Sequence, residues 1–399
     1  MKTEKISQLA EKFYPQVVGL RHYFHQNPEL AFEEYKTAAK VAETLQALGI
    51  EVQSQIAGTG VVGLIRGSKP GATVLLRADM DALKVTEAAD VAYKSTVPGV
   101  MHACGHDGHT ASLLGTAMIL QALKDEIAGN IKLVFQPAEE GSGGALPMIE
   151  AGVLENPKVD AAFGCHLWGN LPEGKVELKS GPLMASPDSF TITIIGKGGH
   201  AALPHVSIDP VTIAAQVILQ IQTLVARRID PLVPAVISIT TIHGGDTYNV
   251  IPNTVEMTGT IRLFDNALRE WVPQAMESII QHVTQANGAS YTFQLFKKFP
   301  PLINDAAMTA LAEASVTKII GKDHVQQGTT PNMGGEDFAY FAAAVPSCFY
   351  FVGIVPPGEE LVSHHNPKFQ WDDRNLMISM QTLAQVALDY LDQESNRSK

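Results

Sequence analysis

The sequence contains only three cysteines, little basic charge and no long apolar run. Three scattered thiols exclude a disulfide framework of the kind found in small secreted domains. The 29 Lys and Arg residues are outnumbered by 41 Asp and Glu residues, for a net charge of −12, which argues against surfaces that bind nucleic acid or anionic lipid. The N-terminal residues follow the spacing of an amphipathic helix and lack the apolar core of a secretory signal. We therefore expect a cytoplasmic protein with no nucleic-acid and no membrane partner.

Length and patterning predict two domains. A chain of 399 residues exceeds what one compact core usually supports. Short apolar runs at 73–79, 130–137 and 159–166 indicate buried strands, and apolar residues at helical spacing over 108–125 indicate a helix between the first two. Strands that alternate with helices predict an α/β fold, here a doubly wound and mostly parallel sheet.

The residue composition and the pattern of predicted elements change near residue 188. Segments rich in Thr, Val and Ile flank two helical stretches in the order strand, helix, strand, strand, helix, strand. That order is typical of the ferredoxin-like α+β fold (βαββαβ). After about residue 300 the chain returns to longer helices and a short apolar strand. We therefore predict a first domain made of residues 1–184 and 294–399, and a smaller inserted domain made of residues 185–293.

Polar residues stand at the end of each predicted strand of the first domain. Asp79 and Asp81 follow the first strand. Glu139 and Glu140 follow the second, and His166 closes the third. In open α/β sheets, ligands collect outside the carboxyl ends of the strands. The three strands are therefore expected to deliver carboxylates and an imidazole to one edge of the sheet.

The segment MHACGHDGH adds a thiol and an imidazole directly before the predicted helix. Cys104 and His106, one residue apart, can bind one metal or two neighbouring metals when the backbone between them is irregular. Gly105 permits such a backbone. We predict that both residues are metal ligands. For nearby His102 and His109, a purely structural place at the helix end is an equally good interpretation.

Two further motifs carry paired side chains. In QPAEEG, adjacent Glu139 and Glu140 point in different directions, so one can bind a metal while the other faces a water as general base. Adjacent acids are also common on solvated surfaces, and the apolar strand before them favours the first interpretation. In LVSHHNPKF, His364 and His365 lie in a predicted loop, and either one is a candidate ligand.

Ten motifs occur in order between about Arg21 and Phe369, namely RHYFHQNPEL, LLRADMDAL, MHACGHDGH, FQPAEEG, GCHLW, GKGGHAA, NVIPN, GTIR, GGEDF and HHNPKF. Together they resemble the aminoacylase, hippurate hydrolase and indole-acetyl-amino-acid hydrolase family of co-catalytic metallopeptidases. The resemblance implies a metal-dependent amidohydrolase that cleaves N-acyl amino acids such as N-acetyl or N-benzoyl derivatives. It also implies that the first domain is catalytic and that the inserted domain serves as a lid and in dimerisation.

The resemblance implies up to two divalent ions per subunit, Zn²⁺ or Mn²⁺ ahead of Co²⁺ or Ni²⁺. The ligands that it implies are Cys104, His106, Glu140, His166 and His365. Asp79 stands where wider relatives carry a histidine ligand, which predicts a weaker site for one of the two ions. Asp81 matches the carboxylate that orients the site, and Glu139 matches the general base.

The inserted domain also matches the family. His200 in GKGGHAA resembles a residue that reaches the neighbouring subunit's active site and steadies an oxyanion, which implies a homodimer or a tetramer built from it. Asn249 and Arg262 resemble groups that hold the substrate, and the backbone at Gly335 is expected to approach it. From the residues alone, an ordinary histidine in a glycine turn is the favoured interpretation of His200. For Arg262, a solvated charge at a strand end is as good an interpretation as substrate binding.

Three other functions fit parts of the pattern. A dipeptidase or carboxypeptidase would use the same metals on unblocked peptides. An amidase with Cys104 as nucleophile would need no metal and would leave Glu140, His166 and His365 without a role. A binding protein with a structural zinc would have a closed four-ligand site, which the additional acids beside Glu140 argue against.

Overall fold

In the computed structural model, residues 2–141, 143–358 and 362–397 are described. The chain divides into two compact units. The larger consists of Met1–Gly181, Ile303–Thr330 and Asp337–Lys399, and the smaller of Pro182–Leu302 and Pro331–Glu336. Each unit has a separate hydrophobic core. No helix among these described ranges is long and apolar enough to cross a membrane.

The α-helices are α1 Lys2–Gln26, α2 Tyr35–Ala47, α3 His106–Ala122, α4 Ala145–Glu150, α5 Pro210–Arg227, α6 Asn266–Ala286, α7 Ala306–Ile320, α8 Ala339–Ala344 and α9 Asn375–Arg397. The strands are β1 Glu51–Ile56, β2 Gly60–Arg66, β3 Lys69–Asp79, β4 Ala128–Gln136, β5 Ala161–Pro172, β6 Val176–Leu178, β7 Gly181–Met184, β8 Ser186–Ile195, β9 Gly199–His200, β10 Ala235–His243, β11 Val250–Ile251, β12 Thr254–Leu263, β13 Ser290–Phe296, β14 Leu302–Asn304, β15 Val325–Gln327 and β16 Ser347–Val355. The predicted strands and helices named above are confirmed, with ends shifted by a few residues. One expected end is wrong: β5 continues to Pro172, so His166 lies within the strand and does not close it.

The larger unit is built on a sheet with the strand order β1-β2-β4-β3-β5-β16-β6-β15. Its centre, β4-β3-β5-β16, is parallel, which confirms the predicted α/β class. The register groups the polar residues near the ends of β3 and β4. Asp79, the last residue of β3, pairs with Gln136, the last residue of β4. Arg77 pairs with Gly164, so Asp79 and His166 each lie two residues beyond this pair on neighbouring strands.

Helix α3 is buried on all sides rather than on one stripe. Every residue from His106 to Leu120 is buried, because α3 packs against α1, α9 and the central strands. A helix that is buried all round lies inside the core. It can therefore hold the side chains of its first turn in fixed positions against the ends of the strands.

The smaller unit has the four-stranded antiparallel order β10-β12-β8-β13 with helices α5 and α6. This strand order and the sequence of elements confirm the ferredoxin-like prediction. Asp209 and Asp265 cap the two helices by accepting hydrogen bonds from the amides of Val211 and Leu268, as Asp commonly does at a helix start. One face of the sheet packs on the helices to form this unit's core.

Candidate metal centre

Cys104 and His106 stand at the start of α3, on either side of a left-handed residue. Gly105 has φ +90°, a conformation that glycine adopts without strain. Burial raises the pKa of the Cys104 thiol well above its usual range, and the carboxylates of Glu140, Glu139 and Asp79 raise it further. A thiolate at this position therefore needs a cation to balance it.

His166 directs one ring nitrogen at Cys104. Its Nδ1 donates to the carbonyl oxygen of Leu167 at 2.8 Å, so in the neutral ring the lone pair is on Nε2, 3.6 Å from Cys104 Sγ. Burial lowers the pKa of His166 well below its usual range, and His109 and His364 lower it further. The ring is thus neutral and has the tautomer that a metal ligand requires.

His106, like His166, has its Nδ1 next to an oxygen atom, here a carboxylate oxygen of Asp81. Its Nδ1 lies 3.3 Å from Asp81 Oδ1, while its buried Nε2 has no hydrogen-bond partner and lies 3.9 Å from Glu140 Oε1. Burial would lower the pKa of His106, but the carboxylates of Asp79, Asp81 and Glu140 raise it to about 10. The surplus of negative charge that retains a proton here is also what attracts a cation.

His365 also contacts Glu140. Its Nε2 lies 3.1 Å from Glu140 Oε1, and its backbone, in the left-handed region with φ +63°, is fixed by an amide hydrogen bond to the carbonyl of Ala103 at 2.8 Å. Ligand atoms of Cys104, His106 and His166 all lie within 4.8 Å of one another, as do those of Cys104, Glu140 and His365. The two triads share Cys104.

His364, the other candidate in the doubled histidine, is placed differently. Its Nε2 accepts a hydrogen bond from the amide of Gly169 at 2.9 Å, and its Nδ1 lies 3.8 Å from Cys104 Sγ. Burial lowers the pKa of His364 to about 3. The nitrogen with the free lone pair is therefore already engaged by the backbone, unlike that of His365.

Asp81 fixes both glutamates of the QPAEEG loop. Its two oxygens accept hydrogen bonds from the consecutive amides of Glu139 at 3.0 Å and Glu140 at 2.9 Å. The same carboxylate contacts Nδ1 of His106. One buried acid thus sets the positions of a helix residue and of a loop that follows a different strand.

Asp79 is part of a buried network behind the centre. It accepts hydrogen bonds from Arg77 at 2.5 Å and from Nδ1 of His109 at 2.6 Å. Burial would raise the pKa of Asp79, but His106, Arg77 and His109 together hold it well below its usual range. His109 Nε2 in turn accepts from the amide of Leu167 at 2.9 Å. Both ring nitrogens of His109 are occupied, so it supports the strand of His166 from behind.

Two supporting groups were missed by sequence reasoning. Glu34 accepts a hydrogen bond from the amide of Ala138. His25 bridges Asp107 and Glu87 at 2.9 and 3.1 Å, and Arg21 bonds Asp107 at 3.2 Å. The available signal was the motif RHYFHQNPEL, which contains Arg21 and His25 and lies just before Glu34. It entered the sequence analysis only as part of the resemblance.

The remaining predicted site residues lie in the smaller unit. His200 is exposed on β9, which pairs with β11 so that His200 stands opposite Val250. The amide of Ala201 bonds the carbonyl of Asn249 at 3.1 Å, which brings His200 and Asn249 onto neighbouring segments. Arg262 is half-buried on β12, and its guanidinium donates to the carbonyl oxygen of Ile261 at 3.5 Å.

Gly335 lies in a tight place in the same unit. A Cβ atom there would come within 2.7 Å of Phe299 and of Pro187. This crowding gives the glycine a packing reason independent of any contact with substrate.

A cluster of thiol, imidazole and carboxylate groups at the carboxyl-end side of a parallel sheet is the kind of site that metal-dependent hydrolases use. Residues 75–389 match the model of Peptidase family M20/M25/M40. The chain therefore belongs to the M20 peptidase family, and it is a hydrolase. The resemblance seen in the ten motifs is confirmed at the level of the family.

Similar proteins carry related names. An N-acyl-L-amino acid amidohydrolase of Geobacillus stearothermophilus is 48% identical over 305 residues, which cover 76% of this chain and 82% of that protein. Thermostable carboxypeptidase 2 of Saccharolobus solfataricus is 43% identical, covering 97% of this chain and 98% of that protein. The crystal structure of the Bacillus subtilis YXEP protein, described as a dinuclear metal binding peptidase from the M20 family, matches with a TM-score of 0.82 at 35% identity, covering 96% of this chain and 99% of that chain.

Proposed function

We propose that this protein hydrolyses the amide bond of N-acyl amino acids with the help of up to two divalent metal ions. The proposed ligands are Cys104, His106, Glu140, His166 and His365. The observation that carries the proposal is the pair of ligand triads that share Cys104. The buried atom His106 Nε2, which has no hydrogen-bond partner among the described residues, supports it, because a buried polar atom without a partner is unfavourable unless a ligand satisfies it.

The donor set fits a transition metal better than Mg²⁺ or Ca²⁺. One thiolate with imidazole and carboxylate groups suits Zn²⁺ and also accepts Mn²⁺, Co²⁺ or Ni²⁺. We propose Zn²⁺ or Mn²⁺ as the resident ion. Because Asp79 is held by Arg77 and His109, it is not proposed as a ligand, and one of the two ions is expected to be bound more weakly.

Glu139 is the proposed general base. When bound, the ions supply a water of lowered pKa and polarise the amide carbonyl. Glu139, whose amide is fixed by Asp81, accepts the proton of the attacking water and transfers it to the leaving amine. Asp81 orients His106 and the loop through the contacts described above.

The smaller unit is proposed to bind substrate and a second subunit. The half-buried guanidinium of Arg262 suits the free carboxylate of an amino acid, which it can bind in a bidentate manner. Asn249 and the backbone of Gly335 are proposed to help hold the substrate. The exposed His200 is proposed to reach the active site of a neighbouring subunit and stabilise the oxyanion, which requires a homodimer or a tetramer built from it.

A cytoplasmic location is part of the proposal. Cys104, Cys165 and Cys348 are all free thiols, and Cys104 would be lost as a ligand after oxidation. A reducing compartment preserves this donor.

A carboxypeptidase or dipeptidase activity is the second candidate, favoured by the similarity to thermostable carboxypeptidase 2. The two activities differ in whether the acyl part of the substrate bears a free amine. Comparing kcat/KM for N-acetyl and N-benzoyl amino acids with that for unblocked dipeptides of the same C-terminal residue separates them. A clear preference for the unblocked peptides would select the second candidate.

The decisive experiment combines metal analysis with Glu139→Gln. We expect the purified enzyme to contain a divalent metal, to lose activity on chelation and to regain it on add-back. Glu139→Gln should abolish turnover with metal content unchanged, because it removes the base and no ligand. Full activity after complete metal removal would instead support an amidase with Cys104 as nucleophile. If the protein retains its metal but hydrolyses neither the N-acyl amino acids nor the dipeptides, a structural zinc would be supported.

A further inference from the structure

We propose that His364 donates a hydrogen bond from Nδ1 to the sulfur of Cys104 and so tunes the thiolate that the two metal triads share. This inference rests on the proposed function, because it assigns a partner to a proposed metal ligand. It makes His364 a positioning residue and separates its role from that of His365, although the two are adjacent in sequence.

The direction of the hydrogen bond follows from the other side of the ring. Nε2 of His364 lies 2.9 Å from the amide nitrogen of Gly169. A backbone amide can only donate, so Nε2 carries the lone pair and the proton of the ring is on Nδ1. Nδ1 lies 3.8 Å from Cys104 Sγ, within the longer range that sulfur acceptors allow.

His166, the other imidazole beside the sulfur, has the opposite orientation. Its Nδ1 donates to the carbonyl of Leu167, which leaves a lone pair on the Nε2 that faces Cys104. Of these two rings, only His364 therefore presents a proton to the sulfur. One histidine is arranged to bind a metal next to the thiolate, and the other to bind the thiolate itself.

The His364 ring is held in this orientation by aromatic neighbours. Its centroid lies 5.2 Å from that of Trp168 and 4.8 Å from that of Phe369. The backbone of His365 is left-handed, and the side chain of His365 contacts Glu140. The doubled histidine can therefore place its two rings on different partners around Cys104.

A donor at this position offsets the acids around the sulfur. Glu140, Glu139 and Asp79 disfavour negative charge on Cys104, whereas an N–H group directed at the sulfur favours it. Hydrogen bonds to a metal-bound thiolate withdraw electron density from the sulfur and change the electronic properties of the site. Loss of the donor should therefore be visible in the spectrum of a bound metal ion.

The test uses the full-length enzyme loaded with Co²⁺, whose thiolate-to-metal charge-transfer band reports on the sulfur. His364→Phe removes the donor and keeps an aromatic ring beside Trp168. We expect unchanged cobalt stoichiometry and a band shifted to longer wavelength. His364→Asn, which can place an amide N–H near the position of Nδ1, should return the band toward that of the wild type. His243→Phe, a change at an exposed histidine of the smaller unit, is the matched control and should leave it unmoved.

The outcomes separate the inference from the proposed function. A wild-type enzyme that binds cobalt without a thiolate band, or binds none, refutes the metal role of Cys104. A wild-type band that does not move in His364→Phe overturns the present inference alone. Loss of cobalt in His364→Phe also overturns it, since His364 would then be a ligand. If the phenyl ring prevents folding, His364→Leu provides the second variant without a donor, with the same expected shift.

Discussion

Glu34 accepts a hydrogen bond from the backbone amide of Ala138, with a nitrogen–oxygen distance of 2.9 Å. Ala138 has φ +56°, an unfavourable conformation for a residue with a side chain, and it directly precedes the two glutamates of the centre. Glu34 is fully buried and is itself fixed by the hydroxyl of Thr59. A strained loop that carries the proposed general base is thus held by an acid from the segment between the first two helices.

Glu34→Ala should lower kcat about 10- to 100-fold, in the range seen when groups that orient metal ligands are removed. KM should change less, because the substrate-binding groups are untouched. Glu34→Gln should retain most of the activity, since its amide oxygen can accept the same backbone hydrogen bond. Steady-state kinetics of the two variants test this, with thermal unfolding as the control for folding. An alanine variant with the kcat of the wild type would contradict it.

Arg262→Ala should raise KM for N-acetyl amino acids about 10- to 100-fold, the value of a hydrogen-bonded charge, with a smaller change in kcat. A substrate in which the free carboxylate is replaced by a carboxamide provides the matched control. The wild type should bind this substrate poorly, and Arg262→Ala should weaken its binding no further. If Arg262→Ala raises KM equally for the carboxylate and the carboxamide substrate, the guanidinium does not bind the carboxylate.

Metal removal should destabilise the protein because the empty centre leaves Glu140 and its neighbouring acids close together. A ligand present at 100 times its Kd stabilises the folded state by about 2.7 kcal/mol. The melting temperature should therefore fall on chelation and rise again with added Zn²⁺. In Glu140→Gln, which lacks a proposed ligand, the increase with Zn²⁺ should be smaller, as differential scanning calorimetry can measure. An equal increase in both proteins would remove Glu140 from the ligand set.

The stability of the protein should decrease between about pH 6.5 and 9 because of His25. Burial would lower its pKa, but hydrogen bonds and charge interactions with Asp107 and Glu87 raise it to about 9. A raised pKa means that the stabilisation is complete below 6.5 and is lost as the pH rises through 9, on the order of 3 kcal/mol in total. The charged or titratable groups around the ring are Asp107, Glu87, Arg21, Tyr93 and His102.

The measurement is urea unfolding at a series of pH values for the wild type and His25→Gln. The variant cannot titrate at this position, so the fall in its free energy of unfolding across this interval should be shallower. His22→Gln, a change in a partly exposed histidine one helical turn earlier, should keep the slope of the wild type. Parallel slopes for the wild type and His25→Gln would show that His25 is not the titrating group.

Sequence reasoning identified the strands and the acids at their ends because both follow local rules. An apolar run predicts a buried strand, and parallel strands bring their carboxyl ends to one edge. Arg77 pairs with Gly164 on the neighbouring strand, so the grouping of Asp79 and His166 follows from strand pairing and is predictable from the sequence.

The roles of individual histidines could not be read from the sequence. The choice between His364 and His365 depends on a single left-handed residue and on an amide of β5. The place of His109 depends on two partners, Asp79 and Leu167, from different strands. Tautomers are set by such tertiary contacts, which neither spacing nor composition encodes. The burial of α3 on all sides also exceeds what apolar residues at helical spacing alone predict.

The network around Asp79 makes this position intolerant of a single exchange. Replacing Asp79 by a neutral residue would remove the carboxylate that accepts from His109 Nδ1 and would leave the buried guanidinium of Arg77 with one carboxylate fewer. Such a replacement leaves a buried positive charge less well compensated, which is unfavourable. Position 79 is therefore expected to change only together with its buried neighbours.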